Sequence, residues 1–487
     1  MNRKNFLKTT SLGSLALSAF PIEFLSGQPQ KAVDTSKSTP AKEKHVAVVG
    51  AGISGLSCAY ELLRKGYEVT VLEASGRIGG TVLSVRDGLA DGLYADFGAE
   101  NFTRPGYQKY WEYIEEFNLP VLPYYHRENR KSFVNGEWVS DEQARELRKK
   151  EILKQGGLTP EERRFLNSNP VSHLPYLYVQ PYLGRFSDEY QPFGIGMDHL
   201  DTIPISYIYK QEGASDAALR ILGGSRTSAL YSLWQTYIRK IRGYDQEFDL
   251  YRIRGGNQVL TDTLGKRIGD RIHLSCQVTE VRQGNTGVDL HYNNMGQRKT
   301  LSCDYMVSTL PVTALRNILF TPDLPPEKHF IIDNITYAQT TRVVFQARTK
   351  FWEEDGVTIN LTYNHPSLRT IWQVAEEVDS DRAVLMAKAP GGTTSQQVLN
   401  AFKEFYPGDP SNITIEQQLI KDWSADRYTP GCERLDFPMG QLHQFWPHTM
   451  TPAGRIHFAG SYTDNRSWGM EAAINSAHRV VNEIDNL

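Results

Sequence analysis

The rhythm of hydrophobic and polar positions changes several times along this chain, and each change marks an element. Residues 45–49, His-Val-Ala-Val-Val, form a β-branched run without polar alternation, the pattern of a parallel strand covered on both faces. A glycine turn follows, then a helical stretch to Lys65 that Gly66 closes just past the C-cap. Glu68–Leu72 reads as a second strand, which completes a βαβ unit. Residues 106–249 lack strand alternation. They are rich in charged and aromatic side chains, and Asp141–Gln155 and Ser225–Ile241 carry helical periodicity, so the stretch reads as a mostly helical insertion.

Strands return at Ile272–Val281, Gly287–Tyr292 and Thr300–Ser308, with turns at Asn285-Thr286-Gly287 and Asn293-Asn294-Met295-Gly296. Runs at 340–347, 357–363, 369–374 and 382–388 predict a second, mainly antiparallel sheet. Arg455–Gly460 is again a buried strand, and a helix from about Met470 to Ile484 follows. The fold class is α/β: a Rossmann-like dinucleotide domain with an interleaved α+β substrate domain.

Composition changes this picture little. The chain has 487 residues, 40% of them apolar, 22% charged, with a net charge of −3, as in an ordinary globular protein of two or three domains. There is no basic stripe, so no nucleic-acid partner is expected. Cys58, Cys276, Cys303 and Cys432 make neither a disulfide framework nor a zinc pattern, and no metal is expected. Cys276 and Cys303 could bridge outside the cytoplasm, though nothing in the sequence demands it. No later run approaches about 18 consecutive apolar residues, so no membrane span is expected.

The N-terminus does change the picture. Arg3, Lys4 and Lys8 precede a mildly apolar run from Leu12 to Phe20, a basic region followed by a core of signal-peptide length. Arg3-Lys4-Asn5-Phe6-Leu7-Lys8 resembles a twin-arginine signal with lysine in the second basic position, and an ordinary secretory signal is the next reading. Gly27–Lys44 has the composition of a flexible tether. An exported, periplasmic protein is expected.

The chemistry is concentrated after the first strand. Gly50-Ala51-Gly52-Ile53-Ser54-Gly55 satisfies GxGxxG between a strand and a helix. Gly50 allows the tight turn, Gly52 lets the backbone approach a pyrophosphate, and Gly55 permits close helix–strand packing. The helix start, with Ser54 in its first turn, offers N–H groups to phosphates. Glu73 ends the second strand, 18 residues after Gly55, where a carboxylate accepts ribose hydroxyls and repels a 2′-phosphate.

Glu73-Ala74 through Arg77-Ile78-Gly79-Gly80 resembles the flavoprotein element E-A-x-x-R-x-G-G, in which the arginine and glycine turn hold FAD phosphates. Asp96-Phe97-Gly98-Ala99, Arg254-Gly255-Gly256, Ser308-Thr309-Leu310-Pro311 and Phe320-Thr321-Pro322-Asp323-Leu324-Pro325 extend the likeness. From about residue 45 to its end the chain is similar to the flavin amine oxidase family, which includes monoamine, polyamine and L-amino-acid oxidases.

The resemblance implies FAD as cofactor. It places Val278 at the adenine and Trp423 beside the flavin, a core aromatic being the other reading. Arg455–Gly460 with Ser461 resembles the family's late strand, and Gly469-Met470 the helix start facing the flavin pyrimidine. Cys432 stands in the segment through which monoamine oxidases attach FAD covalently, so it is either a thioether or a free buried thiol. Arg342 occupies the usual place of a lysine near the flavin edge, and keeps the charge while never acting as a base. The two cage aromatics are replaced by Glu433 and Gly469. Trp468 could supply one wall, and Glu433 could pair with a cationic substrate or Arg342, or be a solvated loop carboxylate.

The implied organisation is a signal and linker over 1–44, FAD-binding segments at 45–105, 250–320 and 440–487, and substrate segments at 106–249 (helical) and 321–439 (antiparallel). The implied activity is oxidation of the C–N bond of an amine or amino acid. Hydride passes to flavin, the imine hydrolyses, and oxygen or another acceptor reoxidises the flavin; a second copy in a homodimer is the one protein partner considered. Desaturation of a C–C bond on the same fold, or flavin binding without catalysis, are the alternatives.

Overall fold

The computed structural model describes residues 44–125, 128–244, 248–434, 437–465 and 469–487, with the backbone alone for Cys432–Arg434. The expected export signal and nearly all of its linker, Trp468, and the side chains of Cys432 and Glu433 therefore lie outside the described residues.

The run without alternation at 45–49 is the central strand of a parallel five-stranded sheet, in the order 272–273, 68–72, 45–49, 305–308, 456–458. Val46 pairs with Val69 on one side and Tyr305 on the other. Both faces are covered, as such a run requires. Val46 and Val48 face a core shared by the helices Ile53–Arg64, Gln258–Ile268 and Gly469–Asp485. Ala47 and Val49 face a second core shared with the helical insertion, including Leu230, Leu233 and Trp234. The sheet is α/β and doubly covered, as expected.

The other large sheet has seven strands, ordered 415–422, 340–347, 383–390, 368–374, 361–365, 131–134, 137–140. It corrects the sequence reading at several points. The expected strand at 357–363 is Leu361–His365, preceded by a short helix at Phe351–Glu354. Ile415–Asp422 was not expected; it is an edge strand whose polar side chains hide its alternation. The insertion at 106–249 is not purely helical. Lys131–Val134 and Glu137–Ser140 form a hairpin, and Leu361 pairs in parallel with Lys131. The signal was present: Asn135-Gly136, with φ of 52° and 89°, is the two-residue turn that twisted hairpins prefer.

The β-meander holds two of the cysteines apart. Cys276 starts one strand and pairs with Asn294, whereas Cys303 ends another and pairs with Val288. Both are free thiols, so the bridge considered above does not form.

The C-terminal helix is tied into the fold by its third residue. The Glu471 carboxylate accepts hydrogen bonds from the backbone N–H groups of Lys109 and Tyr110, each at 2.9 Å, and so caps the helix Gln108–Glu116. Burial pushes this carboxyl up to about 7 despite those two bonds. The folded chain therefore holds a proton that the unfolded chain, at about 4.3, has already lost. Stability falls as pH rises through that window and levels off above it. Glu471→Gln should flatten the fall between pH 5 and 7 by up to about 1.4 kcal/mol per pH unit. Urea midpoints across that range measure it, and an unchanged slope contradicts the assignment.

Candidate cofactor cleft and active site

A cleft of about 670 Å³ opens at the carboxyl ends of the parallel strands. This is where open α/β sheets bind ligands. The helix Ile53–Arg64 begins at its wall. Gly52 is the N-cap, no side chain caps it, and its first turn holds no acid. The leading N–H groups thus face the cleft with the helix dipole behind them.

The three fingerprint glycines have different reasons to be glycine. Gly50 has φ +106°, and a Cβ there would stand 2.6 Å from Thr309 Oγ1. At Gly55 a Cβ would stand 1.9 Å from the Gly50 carbonyl oxygen. Gly52 has ordinary φ of −71°, and its Cβ would meet nothing closer than the Gly80 Cα at 3.9 Å. The protein itself leaves room for a side chain at Gly52. What requires glycine there is whatever enters the cleft, and a dinucleotide pyrophosphate fits that cradle.

Glu73 lies beside it, accepting from Ala51 N at 2.7 Å and Ser75 N at 2.8 Å. Arg77 donates to Ile78 O at 3.2 Å and to Gly80 O at 2.7 Å. It fastens the turn in which Gly79 has φ +98° and Gly80 +58°, and Gly79 N in turn donates to Ala51 O at 2.8 Å. Burial lowers the pKa of Arg77, with Asp426 and Glu73 opposing, and the guanidinium stays charged. Ala74, Val278, Gly460 and Ser461 complete this wall, and Gly460 N is held by Ser476 Oγ at 2.8 Å. Gly55, Gly79, Gly469 and Met470 are not in the wall of this cleft. Met470 is buried, and Gly469 starts the C-terminal helix with φ +50°.

Of the expected substrate-side residues, the two whose side chains are described, Arg342 and Trp423, lie around the segment 96–100. Arg342 projects from the strand Thr340–Ala347 and pairs with Glu100 at 3.1 Å, with Trp372 5.5 Å away. Trp423 is buried and donates from Nε1 to Phe97 O at 2.8 Å, and Lys421 Nζ lies 4.8 Å from its ring centroid. A Cβ on Gly98 would stand 1.6 Å from Thr81 O and 3.3 Å from Trp423, so this segment is clamped between the glycine turn and the tryptophan. Neither Arg342 nor Trp423 lines the large cleft. Arg104 is exposed and pairs with Glu115 at 3.0 Å.

Two groups here, Glu100 and Asp426, escaped the sequence reading, and a third, Asp96, was read only as the start of the D-x-G-A step. Glu100, directly after the D-x-G-A step, is the described partner of Arg342. Asp96 is buried, and burial raises its carboxyl to about 7 although Ser84 Oγ donates to it at 2.5 Å and Asn257 N at 3.1 Å. Asp426 lies in the cleft wall; against the effect of burial, Lys421 and the N–H groups of Thr429 and Tyr428 hold it at about 2. Its visible signal was an acid between Trp423 and the glycine at 431.

The glycine geometry separates folding from cofactor binding. Gly55→Ala should destabilise the chain by about 3 kcal/mol, the overpacking cost of a backbone that cannot give way. Gly52→Val should fold but emerge colourless, because its side chain fills the cleft. Urea melts and the visible spectrum read the two effects separately, and a yellow Gly52→Val protein would refute the cofactor site.

The comparisons with known proteins agree with this geometry. The model of the flavin-containing amine oxidoreductase family matches residues 53–485. The L-amino-acid oxidase of Echis ocellatus is 28% identical, over 99% of this chain and 99% of that protein. That of Demansia vestigiata is 25% identical, over 91% and 87%. Among solved structures, cyclohexylamine oxidase from Brevibacterium oxydans superposes with a TM-score of 0.68 at 20% identity, covering 91% of this chain and all of that one. Putrescine oxidase bound to putrescine superposes with a TM-score of 0.69 at 19% identity, covering 92% and all of that chain. The chain belongs to the flavin-containing amine oxidoreductases and is an FAD-dependent enzyme.

Proposed function

We propose that this enzyme oxidises the C–N bond of a small amine or amino acid to an imine, which water then hydrolyses. When bound, FAD supplies the acceptor for the hydride and hands its electrons to oxygen, giving hydrogen peroxide, or to another acceptor. The carrying observation is the family match through residues 53–485, which takes in both the dinucleotide cleft and the substrate-side strands. The chain's own residues hold and orient. The helix start at Gly52–Ser54 would hold the FAD phosphates, Glu73 the ribose and Val278 the adenine. The clamped segment 96–100, with Trp423 behind it, walls the substrate side.

Arg342 sets the electrostatics there. Its charge is permanent and is offset by Glu100 at 3.1 Å, so this edge carries an ion pair where the family usually has a lysine ammonium. Bleaching of the flavin under nitrogen by amines or amino acids, followed by recolouring in air, tests the activity. If no such compound bleaches it, the function is wrong. Arg342→Lys should recolour faster after dithionite reduction while changing substrate bleaching less. Equal recolouring rates would remove Arg342 from any role in reoxidation.

The thioether reading of Cys432 is also part of this proposal. Supporting it, Gly431 lies in the cleft wall with φ +115°, and the backbone of Cys432 pairs with Ala338 beside it. Acid precipitation should leave yellow colour on the polypeptide, and Cys432→Ser should release it. Free flavin from the unmodified enzyme would show Cys432 to be an ordinary thiol.

A further inference from the structure

The wall of the cleft opposite the fingerprint is built by residues 426–431, the continuation of the edge strand Ile415–Asp422. This segment is fixed at its root. Asp426 Oδ1 accepts from Tyr428 N at 2.9 Å, Thr429 N at 2.8 Å and Thr429 Oγ1 at 3.0 Å, and Oδ2 pairs with Lys421. A carboxylate satisfied this fully does not release the turn. The side chain between these anchors, Arg427, lines the cleft together with Gln277. Its Nη2 lies 3.3 Å from Oε1 of Gln277, on the first strand of the meander, so the two walls are joined by a single side-chain contact at that point.

The position of that contact along the cleft matters. The pyrophosphate cradle is at Gly52, the ribose acceptor is Glu73, and Cys276 N donates to Glu73 O at 2.7 Å, so residues 276–278 lie one step beyond the ribose. Gln277 and Val278 therefore border the adenine end, and Arg427 stands over that end. Arg77, the other guanidinium in the wall, is already spent on the carbonyls of Ile78 and Gly80. Arg427 is exposed, and among the described residues its guanidinium meets a neutral amide and lies over the Tyr428 ring, 5.3 Å from its centroid.

We propose that Arg427 is a cofactor-binding residue that closes over the adenosine half of FAD, laying its guanidinium plane on the adenine face opposite Val278. A guanidinium suits this task because it is planar, weakly hydrated and always charged, and it stacks on a π-system while keeping an edge for hydrogen bonds to Gln277. The residue thereby selects for the adenine-bearing form of the flavin.

The test uses the full chain carrying Cys432→Ser, so that flavin exchanges freely, and titrates the apoprotein with FAD, ADP and FMN by fluorescence. Arg427→Ala should weaken FAD and ADP by the same factor, about fivefold, and leave FMN, which has no adenine, unchanged. Arg427→Lys keeps the charge without the plane and should stay close to alanine. Equal losses for FAD and FMN would mean that the substitution merely loosens the 426–431 wall, and would overturn the proposal. So would unchanged FAD affinity, or full recovery with lysine.

Discussion

The structure depends on one close approach of backbone to backbone. The helix Ile53–Arg64 leaves the first strand so tightly that Gly55 lies against the carbonyl of Gly50, with no room for even a methyl group. That contact fixes the helix axis, and the axis aims the uncapped N-terminus into the cleft. The rest of the dinucleotide wall is hung from the same turn. Ala51 donates to Glu73 and accepts from Gly79, so one residue sets the distance from the helix start to both the Glu73 carboxylate and the glycine turn. A small error at Gly50–Gly55 would be inherited by every one of these groups.

The surroundings of the segment 96–100 are governed by charge rather than by backbone. Arg252 is buried and held by Glu376 at 2.5 Å and Glu377 at 2.7 Å, and Arg342 is held by Glu100. Buried ions of this kind contribute little net stability, because desolvation consumes much of the attraction. Their value lies in position: each guanidinium is locked by a carboxylate on a different segment, so strands of the large sheet and the loop at 96–100 are registered against each other. Asp96, raised by burial to about 7 and so about half protonated near pH 7, sits among them without adding a full negative charge.

What was legible in the sequence follows the same division. The parallel sheet could be read because its strands are apolar on both faces, and the fingerprint because its glycines answer to steric rules that operate within a few residues. Glu100, Asp426 and the edge strand Ile415–Asp422 were missed because their roles come from distant partners. Nothing near Glu100 in sequence announces Arg342, 242 positions away. The hairpin at 131–140 is a different case. Its Asn-Gly turn was in plain view, but the charged residues around it matched the expectation of a helical stretch.

The order of strands in the parallel sheet has a consequence for how the molecule comes into being. Its central strand, 45–49, is made early, yet the outer strand at 456–458 and the wall at Gly460–Ser461 come from the far end of the chain. The intervening four hundred or so residues must be threaded into the other sheets, the four-stranded meander and the seven-stranded sheet foremost, before that edge is covered. Such distant pairings close slowly, because loop entropy is lost before contacts are gained. During synthesis, the strand at 305–308 would present an open apolar edge until the last segment emerges. Cofactor capture is thus a terminal event in the life of the nascent chain, and a chaperone that shields that edge would act on the same interval.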